Sequence, residues 1–232
     1  MIKGGDLMLK LKYISHSAFL LEDGKNTVVI DPFIKGNPTA TIKVEDIKAN
    51  FIVLTHAHSD HFGDTKPIAL ANKSLVIAVN ELANYCAEIG LKAHNMHIGG
   101  SYNFDFGKLK FTQAFHGSSN AEGDYMGDPA GVILNMGDKV IYHCGDTGIF
   151  GDMKLIGQMN EIDVMLVPIG GNFTMDTDDA VEAVKMVNPK LAIPMHYNTV
   201  PIIETDPDLF ADKVKQSGID ARVMQYGEKI EV

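Results

Sequence analysis

Residues 51–63 constrain this chain more than any other stretch. An apolar run, Phe51, Ile52, Val53 and Leu54, leads into Thr55, His56, Ala57, His58, Ser59, Asp60 and His61, an HxHxDH pattern at a strand end. Along an extended chain alternate side chains share a direction, so His56 and His58 can approach one cation together. The turn that follows lets Asp60 and His61 swing back toward a second cation. Imidazole and carboxylate donors suit zinc and other first-row divalent metals, and an open coordination position holds water. A lone histidine is commonly a surface or satisfied core residue. Three histidines and an aspartate within six residues, beside an apolar strand, are different: without a metal several polar atoms stay unpaired, at about 1–3 kcal/mol each.

Two metals need more ligands than this loop holds. His116 follows a strand pattern over 110–115, Asp146 stands in Cys144-Gly145-Asp146-Thr147-Gly148 after a pattern over 140–143, and His196 follows one over 191–194. Each lies just beyond a strand's carboxyl end, where sites in α/β folds gather.

Further strand patterns cover 9–14, 18–21, 27–30, 51–55, 75–79, 131–134, 164–168 and 221–225. Helices are predicted over 178–187, with Thr177 as N-cap and Pro189 as stop, over 80–89 before Gly90, and over 207–216, with Asp206 as cap and Pro207 at the first position. No linker, low-complexity tract or repeat interrupts them. The expectation is one α/β domain over 8–232, with helices outside and enough hairpins to favour two packed sheets. Residues 1–7 read as a peripheral N-terminal extension, with Met8 as the native start.

With these residues in this order, the chain resembles the metallo-β-lactamase superfamily, from about Met8 to Val232. The resemblance implies a four-layered αββα sandwich with a dinuclear site between two sheets. It implies that His56, His58 and His116 bind the first metal, that Asp60, His61 and His196 bind the second, and that Asp146 bridges both. Asp31, after the 27–30 strand, would brace the histidine loop. The glutamate that replaces the second histidine of HxHxDH in the flavodiiron branch is absent, so hydrolysis is favoured over oxygen or nitric oxide reduction. Ser15 to Phe19, Tyr142 to Gly148, Phe173 to Asp176 and Pro194 to Asn198 are similar to a compact group of prokaryotic metal-dependent hydrolases, akin to the ascorbate 6-phosphate lactonase branch.

Two divalent cations lower the pKa of a shared water enough to supply a bridging hydroxide near neutral pH. Asp60 can orient that hydroxide and shuttle its proton. His16, between two serines, is either a substrate-binding donor near the pocket mouth or a hydrogen-bonded turn residue. Asn172, Phe173 and Thr174, and Tyr197, Asn198 and Thr199, are candidates to line the cleft or to cap turns. His143 is expected to pack in the core or support a ligand, and His94 and His97 to lie at the surface. Met175 and Met195 read as packing residues and Cys144 as a buried thiol. Zinc comes first, with manganese, iron or nickel compatible with the same donors.

With 20 Lys+Arg against 30 Asp+Glu and a formal charge of −10, the chain lacks the clustered cations that nucleic acid requires. Cys86 and Cys144 are no disulfide framework, and neither an export signal nor an 18-residue apolar run is visible, which points to a cytoplasmic protein away from membranes. The leading expectation is a dinuclear metal-dependent hydrolase acting on a small ester, lactone or phosphoester, an anionic one included. Two alternatives are a metal-binding or ligand-sensing protein without turnover, and an RNA or DNA phosphodiesterase of the same fold. A homo-oligomer is compatible with the sequence.

Overall fold

The computed structural model describes residues 8–232; the expectations for 1–7 lie outside the described residues. The first half builds β1 (Lys10–Ser15), β2 (Ala18–Glu22), β3 (Thr27–Ile30), β4 (Phe51–Val53), β5 (Leu75–Val79) and β6 (Lys92–Met96). The second builds β7 (Ser101–Phe104), β8 (Gly107–Gln113), β9 (Ala130–Met136), β10 (Lys139–His143), β11 (Val164–Pro168), β12 (Leu191–Met195) and β13 (Asp220–Ala221), and β14 (Lys229–Glu231) returns to pair with β1. The result is two seven-stranded sheets, ordered β14-β1-β2-β3-β4-β5-β6 and β13-β12-β11-β10-β9-β8-β7. Each begins with antiparallel hairpins and ends in parallel strands, β3 to β6 in one and β10 to β13 in the other.

Period-two alternation decides the layers. Along β9, Val132 and Leu134 join the core that contains the first sheet, while Ile133 faces the opposite cluster. Along β11, Val164 and Leu166 face inward and Met165 and Val167 face the helices. Those helices are α4 (Met153–Met159), α5 (Thr177–Val187) and α6 (Pro207–Gln216); α1 (Ser59–Phe62), α2 (Thr65–Asn72) and α3 (Asn80–Glu88) belong to the first half. Helices, sheet, sheet, helices is the αββα sandwich.

Local chemistry moves some boundaries. Asp176, not Thr177, caps α5: its carboxylate accepts from the backbone N–H groups of Asp178 and Asp179 at 2.9 and 3.0 Å, making Thr177 the first helical residue. Asp206 caps α6 in the same way. His94, expected at the surface, sits on β6, half-buried against the Tyr102 and Phe104 rings, whereas His97 is exposed. Strand β4 stops at Val53, so residues 54–58 form a bare connection into α1.

Candidate metal centre

The predicted cluster gathers in the connections that follow the carboxyl ends of strands. His56 and His58 follow β4, and Asp60 and His61 lie on the single turn of α1 that begins at Ser59. His116 follows β8, Asp146 follows β10 and His196 follows β12. Gly145 makes the approach of Asp146 feasible: its φ is +64°, and a Cβ there would lie 2.5 Å from the Ala130 carbonyl oxygen. His143 anchors the same loop, donating through Nε2 to the Ser17 carbonyl at 2.9 Å and accepting from the Gly145 N–H at 3.1 Å.

The donor atoms converge. His56 Nε2 and His58 Nδ1 are 3.0 Å apart, and these two histidines form one group with His116. Asp146 Oδ2 lies 3.6 Å from His116 Nε2, 3.3 Å from His61 Nε2 and 2.9 Å from His196 Nε2. Asp60 Oδ2 is 3.8 Å from both His61 Nε2 and His196 Nε2. Donors held about 2.0–2.1 Å from one tetrahedral cation sit roughly 3.3 Å from each other, so these separations suit shared cations. Buried atoms without a hydrogen-bond partner include His61 Nε2, both ring nitrogens of His196 and Asp146 Oδ1. Such atoms are costly in a protein interior unless something binds them, and a divalent cation fits this donor set.

Surrounding groups aim the donors. Asp31 is fully buried with φ +46°; Oδ1 accepts from the Thr55 N–H at 2.9 Å, and Oδ2 accepts from the Thr55 hydroxyl at 2.6 Å and from His61 Nδ1 at 2.7 Å. Because the Thr55 hydroxyl gives its proton to Asp31, it accepts from His56 Nδ1, 3.0 Å away. One aspartate thus fixes the orientation of both rings and aims each Nε2 at the cluster. Thr147 links two ligand loops, its hydroxyl accepting from the Phe115 N–H at 2.9 Å.

A family model described as a beta-lactamase superfamily domain matches residues 10–196. The UPF0173 metal-dependent hydrolase of Anoxybacillus flavithermus is 50% identical over 228 residues, covering 97% of this chain and all of that protein. The UPF0173 metal-dependent hydrolase YtkL of Bacillus subtilis is 50% identical over 229 residues, again 97% of this chain and all of its own. Igni18, described as a novel metallo hydrolase from the archaeon Ignicoccus hospitalis, matches with a TM-score of 0.91 at 35% identity, over 97% of this chain and 98% of that one. The chain belongs to the UPF0173 metal-dependent hydrolases, within the metallo-β-lactamase superfamily.

In this UPF0173 chain the charges of the cluster are strongly unequal. Burial works against a charged His61, yet the carboxylates of Asp146, Asp31 and Asp60 outweigh it and raise its pKa well above the ordinary value. His196, opposed by burial but held by Asp146 and Asp60, is raised to about 9. Burial lowers His56, His58 and His116. Asp60 and Asp146 resist their own burial because neighbouring histidines hold both well below the usual carboxylate range.

His16 lies inside the site. Its φ is +58°, its carbonyl accepts from the Tyr13 hydroxyl at 3.0 Å and the His196 N–H at 2.8 Å, and its ring is 4.0 Å from that of His196. Burial, followed by the charge of His196, lowers its pKa to about 4, so it is neutral at pH 7. Its one ring proton therefore sits on Nε2, which donates to Asp60 Oδ2 at 3.1 Å, and Nδ1 accepts from the Thr199 hydroxyl at 2.7 Å.

Of the residues expected at the cleft, Phe173 lines it, half-exposed, together with His58, Asp60, His116, Asp146 and His196. Asn172, Thr174, Tyr197 and Asn198 are not among its lining residues. Tyr197 is turned into the core under α6 because the strained turn at His196 reverses the chain there, and the Asn198 carboxamide accepts from the Thr205 N–H at 2.8 Å. Met175, Met195 and Cys144 are buried in the core. Sequence reasoning missed Thr55 and Thr147 as organisers, and Ser59, Ser119, Asn120 and Ala121 as cleft wall. A hydroxyl residue directly beside a ligand, as in Thr55-His56 and Asp146-Thr147, was the available signal for the first two. Among the described residues, no helix is long and apolar enough to cross a membrane.

Proposed function

We propose that this chain hydrolyses a small ester, lactone or phosphoester using two divalent cations held side by side, with zinc the first choice for the donor set. The observation that carries this is the position of Asp146 Oδ2, within 3.6 Å of His116, His61 and His196 at once, while Asp146 Oδ1 and His61 Nε2 lack hydrogen-bond partners. His56, His58 and His116 would hold one cation, Asp60, His61 and His196 the other, and Asp146 both. Such a pair supplies a water acidified toward neutral pH and positive charge for the attacked oxygen.

The remaining work falls to the protein. Asp60, its side chain 37% exposed, is the carboxylate that meets substrate. It is ionised at neutral pH and so can orient the attacking water and carry its proton to the leaving group. His16 and Thr199 hold that carboxylate in one orientation, at the expense of a strained backbone. A small-molecule substrate suits a cleft of about 310 Å³, and the −10 charge disfavours polynucleotides. Free, buried Cys86 and Cys144 suit a reducing, cytoplasmic setting.

The test is a panel of esters, lactones and phosphodiesters, with an RNA set, presented to metal-loaded protein. Turnover of a small substrate, lost with chelator and restored by zinc, is expected. Background rates throughout favour a sensor, and RNA cleavage at low salt favours the nuclease.

A further inference from the structure

The metal cleft has a neighbour. A second cavity of about 200 Å³ opens beside it, and Ser59, Asn120 and Ala121 line both. Its inner walls are Phe62 and Tyr85, with ring centroids 5.9 Å apart, and the buried Leu82. We propose that this cavity is the specificity pocket of the enzyme and takes an uncharged, apolar acyl or alkyl group of the substrate, rejecting an anionic tail. This rests on the reading of the cluster as a hydrolytic metal centre.

Three observations carry it. The pocket shares its wall with the reacting centre, so a substrate held at the cluster has only Ser59, Asn120 and Ala121 to pass. The Asn120 carboxamide is spent on its own loop: Oδ1 accepts from the N–H groups of Glu122 and Asp124 at 3.1 and 2.8 Å, and Nδ2 donates to Asp124 at 3.1 Å, which leaves the uncharged hydroxyls of Ser59 and Tyr85 beside the apolar Phe62 and Leu82. Among the described residues, no Lys or Arg lines either cavity, whereas the carboxylate-bearing Glu122 is part of the pocket lining. An anionic tail would meet like charge without a counter-ion, while an apolar group gains about fourfold in binding per methylene buried.

The experiment compares methyl butanoate, methyl hexanoate and monomethyl adipate with metal-loaded protein, following proton release. Expected is a kcat/KM about sixteenfold higher for the hexanoate than for the butanoate, carried by KM, with the adipate monoester falling below both. Ala121→Trp should remove the advantage of the longer chain, and Glu122→Lys should recover the adipate monoester. Equal rates for all three esters, or an adipate monoester as good as the hexanoate, overturn the pocket. Because the chain contains no tryptophan, Ala121→Trp also gives a readout independent of turnover. Blue-shifted emission, moved to the red by hexan-1-ol, supports the pocket even if no ester is hydrolysed, in which case only the catalytic reading fails. Emission of a fully exposed indole that hexan-1-ol leaves unmoved overturns the pocket.

Discussion

Asp31 Oδ2 stands 2.7 Å from His61 Nδ1, and neither side chain is exposed to solvent. The same carboxylate reaches His56 through the Thr55 hydroxyl, so the two histidines share one organiser. Asp31→Asn puts an amide where an acceptor is needed and releases the His61 ring. Metal affinity should fall by about 10–100-fold, read by competition with a chromophoric chelator. Unchanged affinity would remove Asp31 from the account.

The contact between His16 and Asp60 makes a separable prediction. Thr199→Val removes one hydroxyl at constant volume, and His16→Leu removes the donor to Asp60. Both should lower kcat by roughly one to two orders of magnitude while metal content holds, as expected when a proton-transfer group is misaligned rather than lost. Metal content falling in step with kcat would instead make His16 a ligand.

The raised pKa values of His61 and His196 predict how metal binding depends on pH. Without metal His196, raised to about 9, is the doubly protonated cation at pH 7 and His61 is shifted toward that form by its carboxylate neighbours, whereas burial shifts His56 toward the neutral form and holds His16 there. A metal ion must displace those protons, so affinity should rise as pH increases from about 6.5 toward 9, with roughly two protons released per chain near pH 7. Calorimetry in buffers of different ionisation enthalpy counts them. In the metal-free protein the raised pKa of His196 adds stability that is complete below about pH 6.5 and lost as pH climbs through about 9. The gap in Tm between loaded and stripped protein should therefore widen with pH, and a gap that narrows would contradict the assignment.

Gly157 offers a test of the scaffold. A Cβ there would lie 2.1 Å from the Val187 carbonyl oxygen, where α4 crosses the end of α5. Gly157→Ala should lower stability by about 1–3 kcal/mol in denaturant unfolding, as overpacking does, without altering metal stoichiometry.

The chemistry was more legible in the sequence than the scaffold. HxHxDH, His116, Asp146 and His196 declare themselves because ligand chemistry tolerates few residue types at the ends of apolar strands. Strands β6 and β7 and the three-residue β14 went unread: the first two are largely exposed edge segments with polar residues on both faces, and the third has one buried residue, Ile230. Helix α4 was hidden by Gly157, whose purpose appears only when Val187 is seen against it. Tyr197 shows the opposite failure. Adjacency to His196 suggested the cleft, but positive φ at His196 and Asn198 turns the chain so that Tyr197 packs inward. Phe173 reaches the cleft because it sits on a turn closed by the Thr174 N–H to the Gly171 carbonyl and tied to Thr147, beside Asp146.

Elemental analysis of the purified protein bears most directly on the central claim of a paired cation site. Two divalent metal ions per chain are expected, falling toward one in His58→Ala, whose half-exposed ring is lost without opening the core. One ion or fewer in the unmodified protein, or a stoichiometry that His58→Ala leaves at two, would contradict the assignment of the cluster.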